Sequence, residues 1–269
     1  MNIFEIFLPV KEQVAATSVE VAGHETRITA LEGVGVVTQY TSNGTWTKPT
    51  VSPTTGDPYE PNDLFTVICI NGGQGGAKGG TTAGAFHGGT PGGISGGYVS
   101  RQFKYQDLPS TVAMTIGGGG NGATSDSTVG AMGGATTFGS LVAGSPGVGA
   151  VYKDDGSYAV AIAPGDGGWG GVSDATNTIF RTGEPGKSGP FARGGLATAG
   201  TGGNGADAPA GIPSGGGGGA GGNGSTSSAN AGGVGGFPGG GGGGGSQTQT
   251  LQANGGAGAD GCIYVIAPF

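Results

Sequence analysis

Glycine is placed so unevenly along this chain that it dictates what kind of fold is possible. Of 69 glycines in 269 residues, only Gly23, Gly33, Gly35, Gly44 and Gly56 precede residue 71. The sequence therefore changes character near Asn71, from ordinary protein to a field of glycine segments. Together Gly and Pro account for 84 of the residues, a share that without a collagen period commonly means disorder. An ordered alternative must offset about 1–2 kcal/mol of backbone entropy per residue, with glycine at the upper end. Only a repetitive, hydrogen-bonded arrangement of main chain does that.

The segments recur at 71–80, 87–97, 117–122, 194–205, 215–224, 232–245 and 255–261, built largely of Gly-Gly-X or pure glycine. Collagen needs glycine strictly at every third position with abundant proline between, and this chain has neither. Gly-Gly-X suits polyglycine II, a left-handed helix of three residues per turn whose N–H and C=O groups bond sideways to neighbours. Close lateral packing excludes a Cβ on inward edges and tolerates one on an outward edge. The run Gly239–Gly245, with no side chain at all, is expected innermost.

The expected fold is mostly irregular and β. Residues 1–40 read as an N-terminal helical segment, with Val14, Val21 and Ile28 seven apart and a second row ending at Leu31. The apolar cluster Ile3, Phe4, Ile6, Phe7 and Leu8 precedes it and needs a cover. Either the helix docks on its own domain or it grips another chain. Residues 41–145 are a β-rich region interleaved with the first glycine segments. Strands are predicted at 44–49, 64–70, 98–105 and 111–116, the last two forming a pair. Residues 146–261 form the glycine domain, and 262–269 a closing strand that must return to the first sheet.

Charge and motifs exclude several functions. Net charge is −7, and from Gly194 to the C-terminus there is no Lys or Arg, so nucleic-acid binding is not expected. No stretch approaches the roughly 18 apolar residues of a membrane span. Two cysteines, Cys69 and Cys262, are too few for a disulfide framework and are expected as buried thiols. The run 117–122 satisfies G-x-G-x-x-G but leads into more glycine, where a dinucleotide site needs a helix. Residues 255–262 fit a calcium β-roll repeat, but such repeats stack in tandem and this one stands apart. Two histidines, in unrelated settings, offer no triad or metal spacing. No enzyme activity, cofactor or metal is expected.

Between the glycine segments lie loops of dissimilar chemistry, a scaffold-and-loops organisation suited to recognition. Trp46-Thr47-Lys48-Pro49, a buried strand ending in Asn71-Gly72-Gly73, Thr115-Ile116 before four glycines, and Thr136-Thr137-Phe138-Gly139 follow in order. Over residues 40–269 this resembles the receptor-binding adhesin at the distal tip of the long tail fibre of T-even-like bacteriophages. The resemblance implies a polyglycine II sandwich that caps a trimeric fibre in the virion. Its loops would bind a porin-like host outer-membrane protein without inserting in the membrane.

Counting chain reversals back from the closing strand and forward from strand 64–70, with an extra reversal placed within 172–193 to reconcile the two counts, assigns receptor-contacting tip residues: Phe86, Val129, Tyr152, Asp154, Tyr158, Ile179, Phe180, Arg181, Ile212, Gln249 and Leu251. The backward count puts 225–230 near the base and 206–213 at the tip, and the forward count puts the 153–156 turn at the tip. Fibre attachment would fall to Ile3, Phe4, Ile6, Phe7, Leu8, Val14, Val21, Ile28 and Leu31. Two other readings stay open: a glycine-rich structural or coat protein, and a module binding lipopolysaccharide or glycan.

Overall fold

The computed structural model describes residues 35–78, 90–126, 128–144, 164–170, 172–173, 179–197, 200–223, 228–248 and 250–269. They contain strands and extended irregular chain; the helical content is one 3-10 turn, Tyr105–Asp107.

Two four-stranded antiparallel sheets form the base. The first has the order β1 (Val36–Tyr40), β10 (Cys262–Ala267), β3 (Leu64–Ile70), β4 (Tyr98–Lys104); the second has β2 (Gly44–Thr47), β5 (Thr111–Thr115), β6 (Thr137–Phe138), β7 (Val142–Ala143). β5 alternates exposed Thr111, Ala113 and Thr115 with buried Val112 and Met114, the pattern of a sheet with one wet face. Val112 and Met114 meet Phe65, Val67, Cys69, Ile263 and Val265 of the first sheet in one core. Trp46 packs edge-on against Phe138 there, ring centres 5.3 Å apart.

The closing strand returns as the pattern requires, pairing with both β1 and β3. Two expectations fail. β4 and β5 do not pair: β4 pairs with β3 and β5 with β2 and β6. The 3-10 turn at Tyr105–Asp107 and buried Leu108 carry the chain from one sheet to the other. Val36–Tyr40, counted in the helical segment 1–40, is instead a strand; its Val-Val-Thr run is β-branched and suits a half-buried sheet. The rest of that segment lies outside the described residues.

Strands run straight into glycine segments. β3 continues as 71–78 and β5 as 116–124, while 90–97 leads into β4, 128–136 into β6 and 252–261 into β10. Further segments lie at 164–170, 182–189, 192–197, 200–208, 214–223, 230–237 and 238–248, bonded to one another sideways. The bonding repeats every three residues. N–H groups of 71 to 78 donate in turn to 90–97, 128–136 and 252–261, then to the same three again. From Gly216 to Asn223 the order is 238–248, 200–208, 182–189, repeated.

The partners place the segments in five rows: 116–124 with 128–136; then 252–261, 71–78, 90–97; then 230–237, 238–248, 164–170; then 200–208, 214–223, 182–189; and 192–197 last. The first two rows prolong the two sheets, and the others overhang the outer face of the first sheet. There Ile68, Ile70, Tyr98, Cys262 and Tyr264 form a second cluster, with Phe237 packed against it. Tyr264 donates its hydroxyl to the Ser214 carbonyl at 3.5 Å and accepts from Gln39 Nε2 at 3.2 Å.

Segment 238–248 is enclosed on all sides. It donates to 71–78, 230–237 and 164–170 and accepts from 90–97, 214–223 and 252–261. Every glycine from Gly239 to Gly245 is buried, and a Cβ on Gly242 would fall on the carbonyl of Gly256. Segment 214–223 is enclosed in the same way, which is why Ala220, whose spacing suggests an outward edge, has no exposure.

Candidate functional site

The array has two ends, one continuous with the sheets and one far from them, and the chain reverses at each. Successive segments alternate in direction, so segments end at 78, 124, 170, 197, 223 and 248, and their successors begin at 90, 128, 182, 200, 230 and 252, at the far end. Reversals at 189–192, 208–214 and 237–239 lie at the sheet end; at the last, a cis Phe237–Pro238 bond precedes Gly239, whose φ is +74.

Side chains finish what the main chain leaves open. Gln74 stands between 90–97 and 128–136, where no segment among the described residues fills the gap. Its Nε2 donates to the Gly130 carbonyl at 3.2 Å, and its Oε1 accepts from Ile94 N–H at 3.3 Å. Asn71, three residues earlier, is fully buried and accepts from Thr136 N–H at 2.8 Å. Along the outer edge of 200–208, Asn204 accepts from Val234 N–H (3.0 Å) and Asp207 from Phe237 N–H (2.7 Å). Asp260 accepts from Gly119 N–H at 2.7 Å. Asp166 accepts from Ser95 N–H at 2.9 Å and pairs with Lys187 at 2.9 Å. Burial alone would raise the Asp166 carboxyl; the Ser95 N–H and Lys187 outweigh it and hold it below its usual range. Sequence reasoning missed all of these. For Asn71 with Gln74 and Asn204 with Asp207 the signal is two polar residues three places apart in a glycine segment; Asp166 and Asp260 carry no such spacing.

The far end is sparsely charged. Lys78 pairs with Asp126 at 3.2 Å, and the two acids beyond Gly194, Asp207 and Asp260, lie near the sheet end, where they serve as the acceptors described. Thr248 closes the outermost turn of 238–252: its N–H donates to the Leu251 carbonyl at 2.7 Å, and its hydroxyl oxygen accepts from Leu251 N–H at 2.9 Å. Leu251 is thereby held facing outward, 41% exposed.

The expected recognition residues fall into three groups. Val129, 70% exposed, and Leu251 lie at the far end. So does β9 (Ile179–Arg181), paired with β8 (Val172–Ser173) between segments that run out and back. Ile212 does not: it follows Gly211, whose N–H donates to Gln39 Oε1 on β1, at the sheet end. Phe86, Tyr152, Asp154, Tyr158 and Gln249, and all nine fibre-attachment residues, lie outside the described residues. Gly144 and Pro164 both lie at the sheet end.

The count of reversals failed because two stretches read as single segments each contain a turn, one at 197–200 and one at 237–239. The turn missed at 237–239 exchanges the ends of 208–214 and 223–230, so the first is at the sheet end and the second at the far end; the one missed at 197–200 returns the count to the correct ends for 189–192 and β9.

Among the described residues no cluster of His, Cys, Asp or Glu has the spacing to hold a metal ion, and no helix is long and apolar enough to cross a membrane.

A two-sheet base prolonged into a side-bonded glycine array defines a glycine-rich scaffold domain. The chain belongs to the glycine-rich domain family, whose model matches residues 41–268. A search of curated proteins gave no match.

Proposed function

We propose that the array is polyglycine II packing and that the chain is a phage adhesin. It would sit at the distal tip of a trimeric long tail fibre in the virion and bind a porin-like outer-membrane protein of the host, as a binder and not an enzyme. The observation that carries this reading is the separation of the far end from everything that holds the fold. Connections there join segments fixed by main-chain hydrogen bonds, so their sequences are free to serve recognition. The three-residue order of donors along 71–78 and 214–223 supports polyglycine II, which has three residues per turn. Leu251, Val129 and β9 form the described part of the recognition end; the residues before β1 are assigned to the fibre.

Capture of host outer-membrane proteins by the full chain, with and without lipopolysaccharide, tests the reading. A porin-like protein should be retained in both conditions. Leu251→Ser should weaken capture about tenfold or more, the scale of a buried anchor residue, with an unchanged melting curve. Ile212→Ser, at the opposite end, should leave capture intact. Retention of lipopolysaccharide alone, or loss through Ile212 and not Leu251, would overturn it.

A further inference from the structure

The sequence contains six Asn-Gly pairs: 43–44, 71–72, 121–122, 204–205, 223–224 and 254–255. Asn-Gly is the dipeptide in which a main-chain nitrogen most readily reaches the preceding side-chain amide, because glycine presents no Cβ to obstruct the approach. Reaction requires the amide to rotate towards the next N–H and that N–H to be available. The array controls both.

Four asparagines have their amide held. Asn43 accepts from Ile116 N–H at 2.7 Å, Asn71 from Thr136 N–H at 2.8 Å, Asn204 from Val234 N–H at 3.0 Å and Asn223 from Gly183 N–H at 2.8 Å. The following residue is also held at three of them: Gly72 N–H on the Gly134 carbonyl, Gly205 N–H on the Val234 carbonyl, and Gly44 in the β2–β5 ladder opposite Met114. Asn254 is exposed, but Gly255 N–H donates to the Ala123 carbonyl at 3.2 Å. Asn121 differs from all of these. It is exposed, and neither its side-chain amide nor the Gly122 N–H has a hydrogen-bond partner among the described residues. The cause is one side chain. Gly119 N–H, one turn earlier, is taken by Asp260; on the antiparallel neighbour the residue one turn further out is Ala257, whose methyl accepts nothing.

We infer that Asn121 is the site at which this protein modifies itself. Gly122 N bonds to Asn121 Cγ, the nitrogen loses its proton and ammonia leaves, closing a succinimide. Water then opens the ring at either carbonyl, giving aspartate or isoaspartate. Isoaspartate inserts a carbon into the main chain between Gly120 and Ala123, whose N–H groups are fixed on the carbonyls of Gly73 and Gly76. The added length cannot be absorbed without breaking one of those bonds, so the 124–128 turn at the far end loosens.

Peptide mapping by mass spectrometry after incubation of the full chain at mildly alkaline pH tests this. In the folded protein, ammonia loss at Asn121 should run several-fold ahead of Asn43, Asn71 and Asn204, with Asn254 between. In urea the six pairs should react at similar rates. Asn121→Gln, on an outward position, should fold normally and lack the fast phase. Equal rates at Asn121 and Asn204 in the folded chain, or a fast phase that survives Asn121→Gln, would overturn the assignment.

Discussion

Cys69 and Cys262 are diagonal neighbours on adjacent strands, Ile263 facing Cys69 and Cys262 facing Ile70, yet they point to opposite faces of their sheet. A disulfide cannot pass through a sheet, so the intact mass should equal that of the dithiol, and thiol reagents should label neither residue before unfolding. Burial pushes both thiols up to about 12 from a reference of 9.0. A native value above the unfolded one gives stability that is complete below pH 9 and is lost as pH rises towards 12. Urea midpoints measured across that window should fall, and Cys69→Ala should make the fall shallower.

Gly242→Ala and Gly118→Ala should part company. The first sets a Cβ against the Gly256 carbonyl inside the enclosed segment, an overpacking that costs about 1–3 kcal/mol or more. The second meets nothing nearer than Asp260 Oδ1 at 3.8 Å and should change stability by no more than about 0.5 kcal/mol. Equal shifts in thermal melts would contradict enclosure of 238–248.

Gln74→Ala removes a donor and an acceptor at once and should cost about 1–3 kcal/mol, since Gly130 and Ile94 lose their partners. Hydrogen exchange separates this from general loosening. The Ile94 amide should exchange much faster in the variant, while Gly93, bonded to the Gly242 carbonyl, should not.

Asp166 should make folding acid-sensitive. Its native carboxyl titrates below the reference of 3.8, so its contribution is full above that value and is lost as pH falls through the lower native one. Asp166→Asn should flatten the acid limb of a stability–pH curve; an unchanged limb would remove Asp166 from the account.

Strands were legible where side chains carry a pattern. The buried run at β3, the alternation of β5 and the return of β10 can all be read from apolar spacing. The glycine segments were only partly legible, because a chain of glycine looks the same whether it runs on or turns. The Pro238-Gly239 pair is a turn signal, but it sits inside a glycine run, and reading 232–245 as one glycine segment passed over it. Segments poor in glycine pairs, such as 128–136 and 182–189, were hidden for the opposite reason. They lie at the rim, where Val129, Met132 and Pro185 are tolerated. The outward positions of Leu251 and Val129 follow from where their segments end, and the misplacement of Ile212 follows from the missed turn at 237–239.

A pattern that repeats every three residues is indifferent to a displacement by three. If any one segment slid along its neighbours by one turn, each donor would meet an equivalent carbonyl, and the main chain alone would not register the error. What tells the correct alignment from its copies is therefore confined to a few reference marks: the strands at one end, Gln74, Asn204, Asp207 and Asp260 along the rim, and the proline at 238. Segments 192–197 through 238–248 have no strand of their own, and 164–170 and 182–189 are joined only through the short β8–β9 pair, so their alignment rests largely on such marks. Chains with a rim mark removed should populate slipped, well-bonded and still compact forms, as a ruler without numerals still measures lengths but loses its origin.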